Sequence, residues 1–160
     1  MSEVKVGISD LNVVRAPDTL VTYALGSCVG ICLFDFAIRV GGLSHIMLPV
    51  SESSGPLSQP YRFADTAIPL LVKKMEQLGA NKTRMKAKIA GGAKMFAATG
   101  NTTISNIGMR NVVAVKASLA TLKIPIIAED TGKDFGRTVF FYPENGIMKV
   151  KSATKGEWAL

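Results

Sequence analysis

Histidine is almost absent from this 160-residue chain, which carries one, and cysteine and tryptophan are scarce at two and one. One histidine and two cysteines, with no acidic cluster beside them, fall short of the three or four ligands a zinc site needs, so no metal centre is expected. Cys28 and Cys32 stand four positions apart. On one strand that spacing is roughly 13 Å, too long for a disulfide, so both are expected as free thiols in a reducing compartment. Aromatic residues make up only 7%, which leaves little for bases to stack on and argues against a reader of single-stranded nucleic acid. No apolar run approaches the roughly 20 residues that span a bilayer, and no membrane insertion is expected. The opening Met-Ser-Glu-Val-Lys reads as neither a signal nor a transit peptide, which points to the cytoplasm.

Acidic residues are missing between Gln77 and Ala128, a stretch that holds Lys82, Arg84, Lys86, Lys88, Lys94, Arg110, Lys116 and Lys123 of a chain with net charge +7. Positive charge placed this way raises encounter rates with acidic partners. The plainer reading of any one of these side chains is a solvated face.

What is present suffices for a core. At 48% hydrophobic, with seven prolines spread along it, the chain is expected to form one domain over 1–160. Both cysteines and the histidine fall within residues 22–45. Two short apolar runs, 28–34 and 40–48, flank Asp35-Phe36-Ala37-Ile38-Arg39 and predict a β-hairpin. If its loop is centred between Phe36 and Ala37, Cys28 falls directly opposite His45. Opposed residues share a face, with Cβ atoms roughly 5 Å apart. A thiol beside an imidazole is the arrangement that nucleophilic catalysis by cysteine requires, because the imidazole takes the proton that masks the sulfur. A bulge at Gly41-Gly42 would shift the register by one residue and separate the two side chains. Gly26 and Ser27, just before Cys28, let the backbone bend and leave amide N–H groups free to face an oxyanion. The competing reading is an ordinary turn before an inert buried cysteine.

Elsewhere, residues 5–8 and 11–15 read as short extended pieces, 16–18 as a turn and 19–25 as a strand. On that strand Leu20, Thr22 and Ala24 share one face and Val21, Tyr23 and Leu25 the other. Residues 50–60 are rich in Ser, Gly and Pro and read as a long loop beside the site. Ala64, Ala67, Ile68, Leu71, Val72, Met75 and Leu78 form a helical stripe over 63–78, closed by Gly79 and interrupted by Pro69. Residues 82–89 alternate strictly, which predicts a half-buried strand. Its exposed basic face of Lys82, Arg84, Lys86 and Lys88 is either a charge-guarded edge or a docking surface. Gly91-Gly92 lack the rest of a P-loop or dinucleotide fingerprint and instead let the backbone approach the site. Asn106 or a neighbour caps a second helix to about Leu122, with Val112, Val113, Val115, Leu119 and Leu122 as its apolar surface. A buried strand at 125–128, a turn at 129–132 and a hairpin of 138–142 with 147–151 complete an α+β pattern.

Six segments taken together carry a resemblance. They are Gly26-Ser27-Cys28-Val29-Gly30, Gly42-Leu43-Ser44-His45-Ile46-Met47-Leu48-Pro49, Tyr61-Arg62-Phe63-Ala64-Asp65-Thr66-Ala67, Lys88-Ile89-Ala90-Gly91-Gly92-Ala93-Lys94-Met95-Phe96, Ile107-Gly108-Met109-Arg110-Asn111 and Ala128-Glu129-Asp130-Thr131-Gly132. In this order, over nearly the whole chain, they resemble the CheD family of chemoreceptor glutamine deamidases. The resemblance implies an α+β fold, a mixed β-sandwich core flanked by helices, cysteine-hydrolase-like and shared with certain bacterial deamidating toxins. It implies Cys28 as nucleophile, His45 as base and Thr22 as the group that orients the histidine. Thr22 is reached by the resemblance alone.

The implied reaction converts receptor glutamine side chains to glutamate, releasing ammonia through a Cys28 thioester. Backbone amides around Gly26, Ser27 and Cys28 would serve as oxyanion donors, and neither metal nor cofactor takes part. Implied partners are acidic chemoreceptor cytoplasmic helices, steered by Lys82, Arg84, Lys86 and Lys88, and a CheC-like phosphatase. No nucleic acid is expected as a partner, and the expected state is a monomer. The alternative is a non-catalytic adaptor that docks on receptors or regulates CheC.

Overall fold

Alternation of apolar and polar residues produces most of the regular structure, which in this computed structural model is described for residues 1–51, 59–95 and 106–160. In chain order the elements are β1 (Glu3–Lys5), β2 (Asp10–Arg15), β3 (Thr19–Leu25), β4 (Val29–Asp35), β5 (Val40–Ile46), α1 (Ala64–Gln77), β6 (Met85–Gly91), α2 (Ile107–Thr121), β7 (Ile126–Thr131), β8 (Arg137–Tyr142), β9 (Ile147–Ser152) and β10 (Gly156–Ala159). The strands form two five-stranded sheets, ordered β1-β3-β8-β9-β10 and β2-β5-β4-β6-β7. Each is mixed, because β1 runs parallel to β3 and β6 parallel to β7.

Two apolar cores join three layers. Between the sheets, Leu20, Leu25, Val139 and Phe141 of the first meet Cys32, Phe34 and Leu43 of the second. On the outer face of the second sheet, Ile31, Leu33 and Ile46 meet Leu71 and Met75 of α1 and Val115 and Leu119 of α2. β4 and β5 are therefore buried on both faces along their whole length. The α+β expectation holds, with both helices on the same side of the sheet pair. Among the described residues, no helix is long and apolar enough to cross a membrane.

Several expectations are met closely. The strand at Thr19–Leu25 has the expected bounds. All of the α1 stripe from Ala64 to Met75 is buried, with Pro69 inside the helix. Gly79 closes α1 at φ +95, and its amide donates to the Glu76 carbonyl at 2.9 Å. Residues 52–58 of the expected long loop, and Phe96 of the segment after β6, lie outside the described residues.

The hairpin register differs from the expected one. His45 pairs with Gly30, and Cys28 sits in a bend just before β4. The loop occupies 36–39 because Asp35 stays in the strand and Arg39 closes the turn at φ 54. No bulge forms at Gly41-Gly42, where the ladder is continuous. Their missing side chains are replaced by neighbours: a Cβ at Gly41 would lie 2.9 Å from Phe141, and one at Gly42 2.7 Å from Leu71.

Other corrections have equally local causes. β3 carries an irregularity between Thr22 and Leu25, with Ala24 at φ 61, so Leu25 rather than Ala24 joins Leu20 and Thr22 on the inner face. Lys82 and Arg84 belong to a short 3-10 turn, and β6 is not an edge, since it lies between β4 and β7. Arg84 is held by Asp35 at 2.7 Å, and the Lys88 ammonium donates to the Leu160 carbonyl at 2.7 Å. The strand after Pro125 is a half-exposed edge that continues through Glu129, Asp130 and Thr131, where a turn was expected. Val113 faces solvent. β10, which had no signature of its own, pairs with β9, and its Trp158 indole donates to Asp130 at 3.1 Å.

Asp35 anchors the loop end of the hairpin. Its buried carboxylate accepts from the Arg84 guanidinium, the Asn81 amide at 2.9 Å and the Ala37 amide at 3.1 Å. Removing it strips three donors of one charged acceptor. Asp35→Ala is expected to lower stability by about 2 kcal/mol in urea denaturation, and an unchanged midpoint would show that the hairpin does not rely on it.

Candidate active site

The site forms where the two sheets face each other beside the bend that precedes β4. β3 in one sheet presents Thr22, and β5 in the other presents His45; both are buried. The Thr22 hydroxyl lies 2.7 Å from His45 Nδ1 and 2.7 Å from the Val6 carbonyl oxygen. A hydroxyl has a single proton, and a carbonyl can only accept. The Thr22 proton therefore goes to Val6, and the hydroxyl oxygen accepts from Nδ1–H. This fixes the tautomer: Nε2 carries the lone pair. Nε2 is buried and has no hydrogen-bond partner among the described residues.

Cys28 packs in the same inter-sheet core. The ladder is offset by two residues from the expected register, so the two side chains are not directly opposed; the inter-sheet core that holds Cys28 is on the face from which His45 meets Thr22. Gly30 lies between them and has no side chain. A Cβ there would point at Leu25 and Thr22, at 3.1 and 3.7 Å, which marks this as the inter-sheet face.

The bend is held through its carbonyls. The Gly26 carbonyl accepts from the Ala93 amide at 2.8 Å and the Cys28 carbonyl from the Gly92 amide at 2.8 Å. The Ser27 carbonyl accepts from Asn111 Nδ2 at 2.9 Å. Gly91 makes the approach feasible: at φ +106, a Cβ there would lie 2.3 Å from the Cys28 carbonyl oxygen. The expected approach of Gly91-Gly92 to the site is thus present. A trans peptide points its carbonyl and the next N–H in opposite directions, so the Ser27 and Cys28 amides turn away from these anchors. Neither donates to another residue among the described ones; the Cys28 amide faces its own sulfur.

Burial sets the protonation states. It lowers the His45 pKa to about 4 and raises that of Cys28, the latter partly offset by the residue's own backbone amide. At neutral pH the pair rests as thiol and neutral imidazole. Cys32 is fully buried in β4 between Leu43 and Lys88, and burial pushes its thiol up despite the nearby ammonium. Both thiols are free. Among the described residues, no three His, Cys, Asp or Glu side chains gather as metal ligands.

Other expected residues lie elsewhere. Met85 pairs with Asp35 and Gly91 with Val29, so Lys82 and Arg84 sit at the opposite end of β6 from Cys28, about 20 Å away at strand rise. Met95, by contrast, packs against Gly26, where a Cβ would lie 3.1 Å from its side chain, and opens a cleft of about 520 Å³ lined also by Tyr23, Ala24, Phe135 and Arg137. Asn111 and Val6 were not reached from the sequence. Asn111 had a signal, a polar residue at a core position of the α2 stripe Gly108, Asn111, Val115 and Leu119. The Val6 carbonyl had none.

The His45 shift has a consequence for stability. Its folded pKa lies below the ordinary 6.5, so folding favours the neutral ring. That contribution is complete above pH 6.5 and is lost as pH falls toward about 4, a difference of about 3 kcal/mol. Urea midpoints of wild type and His45→Gln are expected to converge as pH drops through this window; parallel curves would contradict the shift.

A sequence model described as CheD chemotactic sensory transduction matches residues 47–152. The chain is 49% identical over 156 residues to the probable chemoreceptor glutamine deamidase CheD of Clostridium botulinum (strain Hall / ATCC 3502 / NCTC 13319 / Type A), covering 98% of this chain and 96% of that protein. It is 49% identical over 154 residues to the protein of the same description from Clostridium novyi (strain NT), covering 96% and 95%. The family match begins just after His45, and the relatives' matches extend over almost all of the remainder. The chain belongs to the CheD family.

Proposed function

We propose that the chain deamidates glutamine side chains of chemoreceptors, with Cys28 as nucleophile, His45 as general base and acid, and Thr22 as the residue that fixes the imidazole. The observation that carries this reading is the unshared Nε2 lone pair, buried on the face it shares with Cys28. His45 Nε2 takes the thiol proton while Sγ bonds to the glutamine carbonyl carbon. The oxyanion so formed faces the Ser27 and Cys28 amides. As the intermediate collapses, the C–N bond breaks and the imidazolium proton leaves with ammonia, giving a thioester. Water, deprotonated by Nε2, attacks that thioester, and glutamate and the thiol are released.

Thr22 accepts from Nδ1–H in both the neutral and the charged ring, so its hydroxyl does not have to turn during the cycle. The relatives' printed description, a chemoreceptor glutamine deamidase, supplies the substrate class. The two cores support a single domain over 1–160, and the cysteine-hydrolase-like assignment of the sandwich comes into the proposal from the family resemblance. Cytoplasmic location, a monomeric state, a CheC-like partner and the lack of any cofactor belong to the same proposal. Electrostatic steering by Lys82, Arg84, Lys86 and Lys88 belongs to it as well, with Arg84 and Lys88 also held by partners within the fold.

Peptide-level mass spectrometry of a chemoreceptor cytoplasmic fragment tests the reading. Wild type is expected to convert glutamine to glutamate, Cys28→Ala to convert none, and Thr22→Val to slow conversion by about 10²-fold while Thr22→Ser stays within about tenfold. Conversion that persists in Cys28→Ala removes Cys28 from the chemistry. Binding of the fragment by both wild type and Cys28→Ala with no conversion by either favours the adaptor reading.

A further inference from the structure

Asn111 is a buried polar residue to which the chemistry above gives no part. It is fully buried on α2, and its amide nitrogen donates both to the Ser27 carbonyl at 2.9 Å and to the Met47 carbonyl at 3.0 Å. Ser27 precedes the nucleophile, and Met47 follows the histidine strand. One side chain therefore ties both halves of the catalytic pair to a helix. The assignment of its amide is fixed, because two carbonyls need two N–H donors.

Two further observations single this residue out. Its Oδ1 is buried without a partner among the described residues, an arrangement that native interiors avoid; an aliphatic side chain would suit this stripe better if packing were the only requirement. The helix also approaches closely. A Cβ at Gly108 would lie 2.4 Å from the Ala93 carbonyl oxygen and 2.5 Å from that of Gly92, so only glycine lets α2 come near enough for Asn111 to reach the bend.

The Ser27 carbonyl that Asn111 holds and the Cys28 amide belong to one planar trans peptide, on which they point in opposite directions. Fixing the carbonyl fixes the amide. We propose that Asn111 is a positioning residue that aims the Cys28 N–H at the developing oxyanion by gripping the other side of the same peptide. This rests on the deamidase reading. The second bond, to Met47, keeps the His45 strand in step with the bend.

The test compares two reactions of the same sulfur. Deamidation passes through an oxyanion. Alkylation by iodoacetamide does not: Sγ bonds to a saturated carbon, and iodide leaves with the bonding pair. Asn111→Asp preserves shape without the donors, and Asn111→Leu fills the stripe, so the pair also covers the case in which the buried carboxylate unfolds the protein. Both variants are expected to lose about 10- to 100-fold in kcat on the receptor fragment. KM, and the rate and pH profile of Cys28 alkylation mapped at peptide level, should stay within about twofold. An unchanged kcat in both variants overturns the proposal. So does a fall in alkylation by the same factor as kcat, which would mean that the bend has collapsed. A wild type that alkylates but converts no glutamine overturns the deamidase reading itself.

Discussion

The single proton of the Thr22 hydroxyl sets the hydrogen bonding of the buried histidine. Given to the Val6 carbonyl, it leaves an oxygen lone pair for His45 Nδ1–H and so places the imidazole's own lone pair on Nε2. No charged residue takes part in this relay. A neutral acceptor orients the ring without holding it as an imidazolium, which suits a histidine whose burial already keeps it neutral. The resting pair is thus a thiol and a neutral imidazole, and in the proposed reaction charge develops only as the sulfur attacks.

The fold exists around this relay in a literal sense. Thr22 and His45 come from different sheets, so their hydrogen bond is also an inter-sheet contact, sealed by the core that contains Leu20, Leu25, Leu43 and Phe141. Val6 is drawn in because its amide donates to the Val21 carbonyl at 2.8 Å, continuing past β1 the line of its parallel pairing with β3. On the other side, the bend that carries Cys28 is fastened by the backbone after β6 and by Asn111 of α2. Sheets, helix and crossover segment each hold one part, and none of them alone would define the geometry.

Elements with strong periodicity were legible in the sequence. The α1 stripe and the strand at Thr19–Leu25 needed only spacing and β-branched composition. The expected register that set Cys28 directly opposite His45 is off by two residues; parity on a pleated strand repeats every two, and Cys28 packs in the core between the sheets. Other features depended on contacts distant in sequence. The alternating lysines of β6 mimicked an edge strand, but β7 arrives after α2 to cover it, and Asp35 and Leu160 engage two of the cations. The irregularity at Ala24 reverses the face of Leu25, and nothing in Tyr23-Ala24 announces it. Thr22 was reachable only through the family resemblance, because its role depends on the other sheet and on a backbone carbonyl.

The relay turns on where one proton resides, and the chain's lone histidine makes that directly observable. Nitrogen-15 NMR of the uniformly labelled protein, with correlation from the ring carbon-bound protons to both ring nitrogens, reports the tautomer of His45 without assignment ambiguity. Across neutral pH the relay requires a protonated Nδ1 and an unprotonated Nε2, and Thr22→Val should weaken that preference. A proton on Nε2 at neutral pH, or a ring already cationic there, would contradict it and would leave the site without the base on which the proposed reaction depends.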